Sequence, residues 1–433
     1  MEIPVTNLSR VYINNAKITL IINKGRAIEI TEDGWRILKI CDGTKNIEEI
    51  YSELNKKHNI GKEDLSEFLK ESQRLDIIKF IDRYEKINYK MFDGKNKIFP
   101  QTFSVELTDR CNLECTYCYG SYLKNKGRYY EFENLKELFL TLAEKGVYTI
   151  ELTGGEPLLH PKFKEILLLA LSNFEKVNIL SNGVLFNEEI FAIIKNNIDK
   201  ISVQISIDGC SEETNCKIRQ TKNSWKKSLN TLLKLQEYGI PYRVGYMITP
   251  ENIHEIEDVC KLFEKENLKN IVFSLISTDF GRGENYKKFN FDVASISSLI
   301  EEMKTKYNKI FFKSSRVYDL SNRTDNCGIG WQHATISPYE IVKSCMLLDD
   351  KSKLGSLKKQ SISDIFKSDK VLFYANFSKK FDEELCDGCP YNVSCGNCIA
   401  RIYKSNIQRI KEGLGWCPYA KKINMNKIFD YVD

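Results

Sequence analysis

Between residues 100 and 280 the chain repeats one hydrophobic pattern. Six short runs alternate apolar and polar residues, and stretches with apolar residues at helical spacing separate them. The first pattern predicts strands and the second predicts helices. Six successive strand–helix units predict an α/β fold in which a parallel sheet forms a partial (β/α)6 TIM-like barrel, here over residues 98–283. The predicted strands are TFSVELT, VYTIELTG, KVNILSNG, KISVQISIDG, YRVGYMIT and NIVFSLIS.

The first 90 residues show a different order of elements. The alternating segment VYINNAKITLIINKGRAIEI predicts two or three strands with short turns. Thr31 is suited to cap a helix through WRILKICDG, and two further segments with helical spacing follow it. Strands followed by three short helices predict a winged-helix-like α+β domain over residues 1–90. The polar stretch 82–97 is the expected linker.

Charge and composition exclude several classes of protein. The 64 basic and 59 acidic residues leave a net charge of +5, so neither nucleic acid nor an acidic membrane surface is an expected partner. No stretch approaches the roughly 20 apolar residues of a membrane span, and the first residues lack the apolar core of a signal peptide. We therefore expect a cytoplasmic protein.

Cysteine is the residue type that departs from this ordinary composition. Cytosolic thiols stay reduced, so clustered cysteines favour metal binding or catalysis over disulfides. Residues 284–320 predict a helical connector, and the cysteine-rich region 321–433 follows it. Four scattered cysteines are expected to be small buried side chains, namely Cys41, Cys210, Cys216 and Cys260. The other ten form two groups: Cys111, Cys115, Cys118; then Cys327, Cys345, Cys386, Cys389, Cys395, Cys398, Cys417.

The first group lies directly after the first predicted barrel strand. Thiolates are the usual ligands of [4Fe–4S] clusters, which offer four positions. Three cysteines would leave one iron open to another ligand. Taken alone, the triplet also fits a zinc knuckle or a set of redox thiols.

The next three strand ends carry polar or glycine-rich motifs. The second strand leads into Gly154-Gly155-Glu156, where glycines permit close backbone approach and a carboxylate could accept from an ammonium. The third strand leads into Ser-Asn-Gly, suited to sugar hydroxyls, and the fourth into Ser-Ile-Asp-Gly. With Arg219 placed to meet a carboxylate, these groups describe a site for an aminoacyl nucleoside.

Taken in this order, the motifs resemble those of the radical S-adenosylmethionine (SAM) superfamily over residues 104–283. The resemblance implies that Cys111, Cys115 and Cys118 bind a catalytic [4Fe–4S] cluster whose open iron takes the amine and carboxylate of SAM. It also implies 5′-deoxyadenosyl radical chemistry and an electron donor such as flavodoxin or ferredoxin. The implied SAM contacts are Tyr117, Gly154, Gly155, Glu156, Ser181, Asn182, Ser206, Asp208 and Arg219. The Gly281-Arg282-Gly283 turn matches the superfamily pattern as well.

The second cysteine group is similar to a twitch-type SPASM domain, which carries two auxiliary [4Fe–4S] clusters. The resemblance implies one cluster on Cys386, Cys389, Cys395 and Cys417, and another, nearer the barrel, on Cys327, Cys345 and Cys398. Two residues rather than three separate Cys395 from Cys398, and Glu340 replaces an expected glycine. The nearer cluster lacks a fourth cysteine, so its fourth iron is open or bound by Asp325 or His333. Read without the barrel, this group would fit zinc equally well.

The N-terminal domain resembles the leader-recognition domains of ribosomal-peptide (RiPP) modification systems. The matching residues are the strand pair across Asn14-Asn15 and the segment WRILKICDGTKNIEEIYSEL. Such domains bind a leader peptide as an added strand. The sequence as a whole therefore resembles a radical SAM maturase that cross-links a precursor peptide, with a cysteine thioether as the first expectation, as in sactipeptide and ranthipeptide synthases.

Three alternatives remain at this point. A maturase of the same chemistry could form a carbon–carbon or carbon–oxygen cross-link. It could also oxidise a protein side chain, as sulfatase maturases do. A protein of another class, a non-catalytic winged-helix regulator with zinc knuckles, would explain both ends of the chain but not the barrel motifs.

Overall fold

The computed structural model describes residues 2–14, 17–23, 27–58, 60–93, 99–124, 126–312, 327–349, 352–377, 383–386, 389 and 398–428. The chain divides into two compact units, Met1–Phe99 and Pro100–Asp433. Asp325 and Cys395, which the sequence assigns to cluster binding, lie outside the described residues. In the described part, no helix combines the length and apolar character needed to cross a bilayer.

The first unit contains a small sheet and three helices. A four-stranded sheet has the order β4-β3-β2-β6, and β1 pairs antiparallel with β5. The strand β6 lies in the stretch predicted as a linker and pairs parallel to β2, so part of that polar stretch belongs to the first unit. The elements are β1 Ile3–Thr6, β2 Leu8–Asn14, β3 Lys17–Ile22, β4 Ala27–Ile30, α1 Glu32–Ile40, α2 Ile47–His58, α3 Lys62–Arg74, β5 Ile78–Ile81 and β6 Lys90–Asp93.

Burial of one face of each element holds this unit together. Thr31 caps α1, since its hydroxyl accepts from the amide of Gly34 at 3.2 Å. Val11 and Leu20 from the sheet are fully buried, as are Leu38 and Leu65 from the helices. The predicted order of strands followed by three short helices is confirmed by these elements.

The second unit is built on a nine-stranded sheet in the described part of the chain, with the order β12-β11-β10-β9-β8-β7-β13-β14-β15. Strands β7 to β12 are parallel, and helices separate them along the chain. The predicted α/β partial barrel is therefore confirmed. Its strands are β7 Thr102–Glu106, β8 Thr149–Thr153, β9 Lys176–Ser181, β10 Ile201–Ser206, β11 Tyr242–Ile248 and β12 Ile271–Leu275. Its helices are α4 Phe132–Glu144, α5 Phe163–Asn173, α6 Glu188–Lys195, α7 Glu212–Arg219, α8 Ser224–Glu237 and α9 Ile256–Lys265.

The C-terminal region continues the barrel sheet. Strand β13 pairs parallel to β7, and β14 and β15 extend the sheet antiparallel. Residues Val293–Lys306 form a helix in the predicted connector. The elements are α10 Val293–Lys306, β13 His333–Ile336, β14 Ile341–Lys343, β15 Gly355–Ser356, α11 Ile362–Ile365, α12 Asp369–Asn376, α13 Glu383–Cys386, α14 Ile399–Lys411, α15 Pro418–Lys422 and α16 Met425–Ile428.

Candidate active site and auxiliary cysteine centres

The loop that follows β7 carries Cys111, Cys115 and Cys118, and backbone contacts define its shape. The amide of Arg282 donates to the carbonyl oxygen of Cys118 at 2.9 Å, and its Nε donates to the carbonyl oxygen of Cys115 at 2.7 Å. The Gly-Arg-Gly turn after β12 therefore holds the backbone of two of the three cysteine residues. The sequence analysis identified this turn but assigned no role to it.

Close glycine packing fixes the other side of this cysteine loop. The amide of Gly155 donates to the carbonyl oxygen of Thr108 at 2.8 Å. A Cβ atom on Gly155 would lie 2.1 Å from the carbonyl oxygen of Arg110, and one on Gly281 would lie 2.3 Å from that of Cys118. Such distances are possible only without a side chain. These glycines act on the cysteine loop, a role that the sequence did not reveal.

The donor set of the loop fits an iron–sulfur cluster. Burial and the nearby Glu156 raise the pKa of Cys111 to about 12, and burial raises the pKa of Cys115 to about 11. Iron must therefore displace protons from these thiols when it binds. Among the described residues no group of three or more His, Cys, Asp or Glu side chains could hold a single metal ion. A cubane cluster requires a wider arrangement, since each thiolate binds its own iron.

Glu156 joins the ends of β8 and β9. It is fully buried, and burial raises its pKa to about 7. Its carboxylate accepts from the hydroxyl of Ser181 at 2.8 Å, the amide of Asn182 at 2.9 Å and the amide of Leu158 at 3.2 Å. The side chain of Asn182 also donates to Asn112 in the cysteine loop at 2.8 Å. Three predicted SAM contacts thus form one hydrogen-bonded network of the protein itself.

Three further predicted contacts form a second network. Arg219 and Asp208 make a buried ion pair at 2.7 Å, and Asp208 also accepts from the hydroxyl of Tyr117 at 2.6 Å. Burial lowers the pKa of Arg219, but Asp208, Tyr117 and Cys115 together raise it, and the net shift of this pKa is upward. Arg219 therefore already has a carboxylate partner in the protein. Its Nε, however, is buried and has no hydrogen-bond partner among the described residues.

Several buried polar atoms at this end of the barrel have no hydrogen-bond partner among the described residues. One is Nε of Arg219, the last residue of α7. The others are Oγ1 of Thr249 and Oε2 of Glu251, which follow β11, and Oγ of Ser277, which follows β12. Ser206 ends β10 and is half-buried. Buried polar groups without partners are costly, so such atoms point to a polar ligand. The residues present fit SAM in this respect.

A polar row crosses the inner face of the sheet and was missed by the sequence analysis. Its members are register partners on successive strands, and they alternate with buried residues such as Ile150 and Ile179 that face the helices. Ser104 and Asn178 donate to Glu151. The alternation of polar and apolar residues within the predicted strands is the sequence pattern that could have revealed this row. The row consists of Lys343, Thr335, Ser104, Glu151, Asn178 and Ser202.

The cysteines assigned to the nearer auxiliary cluster lie within electrostatic reach of one another. Burial above all, together with the thiols of Cys398 and Cys327, raises the pKa of Cys345 to about 12. Cys345 follows β14, and Cys398 directly precedes α14. These three thiols therefore converge from separate elements. His333, the alternative fourth ligand, lies on β13.

The described part of the other auxiliary set also converges. Helix α13 ends at Cys386 and packs against α15, which Cys417 precedes. The amide of Cys389 donates to the carbonyl oxygen of Cys386 at 3.2 Å. The amide of Cys417 is held by the side chain of Asn406 at 2.7 Å. The assignment of these residues to a cluster stays a prediction.

Comparison with known proteins agrees with this architecture. The sequence model of the radical SAM superfamily matches residues 105–263, and that of the iron–sulfur cluster-binding SPASM domain matches residues 327–390. The antilisterial bacteriocin subtilosin biosynthesis protein AlbA of Bacillus subtilis is 28% identical over 405 residues, covering 90% of this chain and 88% of AlbA. The sporulation killing factor maturation protein SkfB of the same organism is 32% identical over 274 residues, 61% of this chain and 64% of SkfB.

Solved structures share the fold. The crystal structure of Streptococcus suis SuiB bound to S-adenosylmethionine matches with a TM-score of 0.64 at 14% identity. The match covers 92% of this chain and 96% of the SuiB chain. At that identity the likeness concerns the fold alone. The fold and the site define a radical SAM enzyme. More narrowly, this chain belongs to the radical SAM enzymes that carry a SPASM domain, as the sequence motifs predicted.

Membership in this class removes one of the three earlier alternatives, the zinc regulator. Radical SAM enzymes bind SAM and a [4Fe–4S] cluster, and SPASM domains bind auxiliary iron–sulfur clusters. The winged-helix zinc regulator offered no account of the barrel, and the match over residues 105–263 leaves it without support. Which individual residues bind each group stays a prediction.

Proposed function

We propose that this enzyme matures a ribosomally synthesised precursor peptide by closing a thioether between a cysteine sulfur and a carbon of another residue. The observation that carries the proposal is the similarity to AlbA, a bacteriocin biosynthesis protein, along 90% of the chain. SkfB, a second relative, is likewise a maturation protein for a killing factor. AlbA is thus named for the biosynthesis of a bacteriocin, and SkfB for the maturation of a killing factor.

The cysteine loop would hold the catalytic cluster through Cys111, Cys115 and Cys118. When bound, SAM would supply the 5′-deoxyadenosyl radical chemistry that takes hydrogen from a substrate. The two buried networks would orient SAM: one joins Glu156, Ser181 and Asn182, and the other joins Tyr117, Asp208 and Arg219. Gly154, Gly155 and Ser206 complete the proposed contacts.

The auxiliary cysteines would hold two further clusters. Cys327, Cys345 and Cys398 supply three thiolates, which leaves one position of the nearer cluster for the thiolate of a substrate cysteine. Cys386, Cys389, Cys395 and Cys417 would close the second cluster. A substrate thiol that left the spectrum of the nearer cluster unchanged on binding would contradict the first assignment.

The N-terminal unit is our candidate for leader binding. Strand β4 is an edge strand of the four-stranded sheet in the described part of the chain. Ile28 and Ile30 of β4, together with Phe68 of α3, are apolar side chains that are only partly buried. An added strand would gain main-chain hydrogen bonds from β4 and apolar contacts from these three residues.

Backbone chemistry can test this mode of binding. In a paired strand only alternate amides point at the neighbouring strand. N-methylation of the leader should therefore weaken binding to the full-length enzyme at every second position. The intervening positions serve as the control, and equal effects at all positions would contradict strand addition.

A co-expression experiment tests the function as a whole. The enzyme is produced anaerobically with a short cysteine-rich peptide encoded beside its gene, and in the cytoplasm reduced flavodoxin or ferredoxin would supply electrons. We expect brown protein with on the order of twelve irons per chain, four per cluster. The peptide should lose two hydrogens per cross-link and one thiol that alkylating reagents can reach.

The control replaces Cys111, Cys115 and Cys118 with alanine and should yield unmodified peptide. Loss of hydrogen without loss of a thiol would instead indicate a carbon–carbon or carbon–oxygen cross-link, or an oxidised side chain. A colourless, iron-poor preparation that releases no 5′-deoxyadenosine would overturn the proposal.

A further inference from the structure

A cavity of about 530 Å³ lies where the cysteine loop meets the C-terminal region. One side is formed by residues 119–123, directly after Cys118, and the other by residues 337–339 and 346–349, the latter directly after Cys345. The cavity thus lies beside the residue ranges that carry two proposed clusters. A substrate group placed there would be next to both.

Two oppositely charged side chains line this cavity. Glu106 ends β7 and Lys343 ends β14, and both are at least nine-tenths buried. Lys343 Nζ lies 3.7 Å from Glu106 Oε2, which is longer than a hydrogen bond. Among the described residues this is the single ion-pair partner of Lys343 within 4 Å.

A hydrogen bond also holds the other carboxylate oxygen of Glu106, Oε1. The hydroxyl of Tyr122 donates to Oε1 of Glu106 at 2.8 Å. The hydroxyl of Tyr119 lies 3.4 Å from that of Tyr122. Two other carboxylates line the cavity, and both also accept hydrogen bonds. Asp109 accepts from Tyr339 at 2.7 Å, and Asp349 accepts from Tyr403 at 3.2 Å. Glu106 alone of the three ends a barrel strand.

Thioether formation leaves one proton without an obvious acceptor. The substrate loses an S–H bond and a C–H bond and gains an S–C bond. The carbon-bound hydrogen atom leaves with the 5′-deoxyadenosyl radical, and the remaining electron passes to an iron–sulfur cluster of the enzyme. The thiol proton goes to neither, so a base must accept it.

We infer that the cavity receives the reacting cysteine of the peptide and that Glu106 accepts its thiol proton. Lys343 acts as a positioning residue, because its ammonium lies opposite the carboxylate and offsets its charge. The inference rests on the proposed thioether function and adds to it a catalytic residue and a place for the sulfur.

The test compares two products of one reaction. Full-length enzyme with reconstituted clusters is given SAM, reductant and the peptide identified by co-expression, and mass spectrometry measures thioether and 5′-deoxyadenosine together. In Glu106→Gln the ratio of thioether to 5′-deoxyadenosine should fall roughly 100-fold, the effect of removing a general base. Glu106→Asp should recover at least part of the ratio. Lys343→Met should lower it less than Glu106→Gln.

Glu151→Gln is the matched control, because Glu151 lies on the same inner face but is engaged by Ser104 and Asn178. Its ratio should equal that of the wild type. A wild-type ratio in Glu106→Gln would overturn the role of Glu106 but leave the proposed thioether function intact. A parallel loss of both products in the Gln and Asp variants would do the same. A wild-type product that keeps all its thiols would overturn the thioether function and this inference with it.

Discussion

The hydroxyl of Tyr117 donates a 2.6 Å hydrogen bond to the carboxylate of Asp208. Tyr117 directly precedes the third cysteine of the loop, and Asp208 follows β10 and pairs with Arg219. One buried ion pair therefore anchors the cysteine loop to the far side of the barrel mouth. The same three side chains that we propose to orient SAM therefore also connect the cysteine loop to the end of β10.

Asp208→Asn should destabilise the second unit strongly. The change leaves the guanidinium of Arg219 buried without a counter-charge, which typically costs about 3–5 kcal/mol. Tyr117→Phe removes one hydrogen bond and should cost about 1 kcal/mol. Denaturant unfolding followed by the signal of the second unit measures both. Equal small effects would show that the ion pair contributes little.

Gly155→Ala should displace the cysteine loop. The new Cβ would lie 2.1 Å from the carbonyl oxygen of Arg110, a backbone atom that cannot move without the loop. We expect loss of on the order of four irons per chain and of SAM cleavage. Gly245→Ala is the control, since its nearest atom is a side-chain nitrogen of Gln204 at 3.5 Å. Full iron content in Gly155→Ala would contradict the close packing.

Glu156 should make stability depend on pH. Burial raises its pKa from 4.5 to about 7, so between these values the folded chain holds a proton that the unfolded chain has lost. This contribution is present in full below pH 4.5 and disappears as the pH rises through 7. The unfolding free energy of the wild type minus that of Glu156→Gln should fall by on the order of 3 kcal/mol between pH 5 and pH 8. A difference that rises with pH would refute the assignment.

Serine substitutions can separate the auxiliary centres by iron content. Cys345→Ser and Cys386→Ser should each lower the iron content, by up to about four atoms per chain. Cys216→Ser is the control, because Cys216 lies on α7 outside both cysteine groups, and it should keep the full content. Iron analysis after anaerobic reconstitution measures all three. Retention of all iron in Cys386→Ser would remove that residue from the ligand set.

Several elements followed directly from sequence patterns. The six barrel strands, the cysteine loop after the first of them and the capped helix at Thr31 depend on residues close together in the chain. The role of Glu156 did not follow in the same way. The sequence indicated a partner for an ammonium, whereas Ser181, Asn182 and Leu158 already donate to its carboxylate.

Local periodicity and the spacing of the cysteines determined the elements of this protein, its class and its candidate metal ligands, because each depends on a few neighbouring residues. Only the tertiary structure decided that Lys343 faces Glu106 and that Tyr117 reaches Asp208. The order and register of strands bring these side chains together from distant parts of the chain. Burial then determines which of them bear charge and which accept a proton.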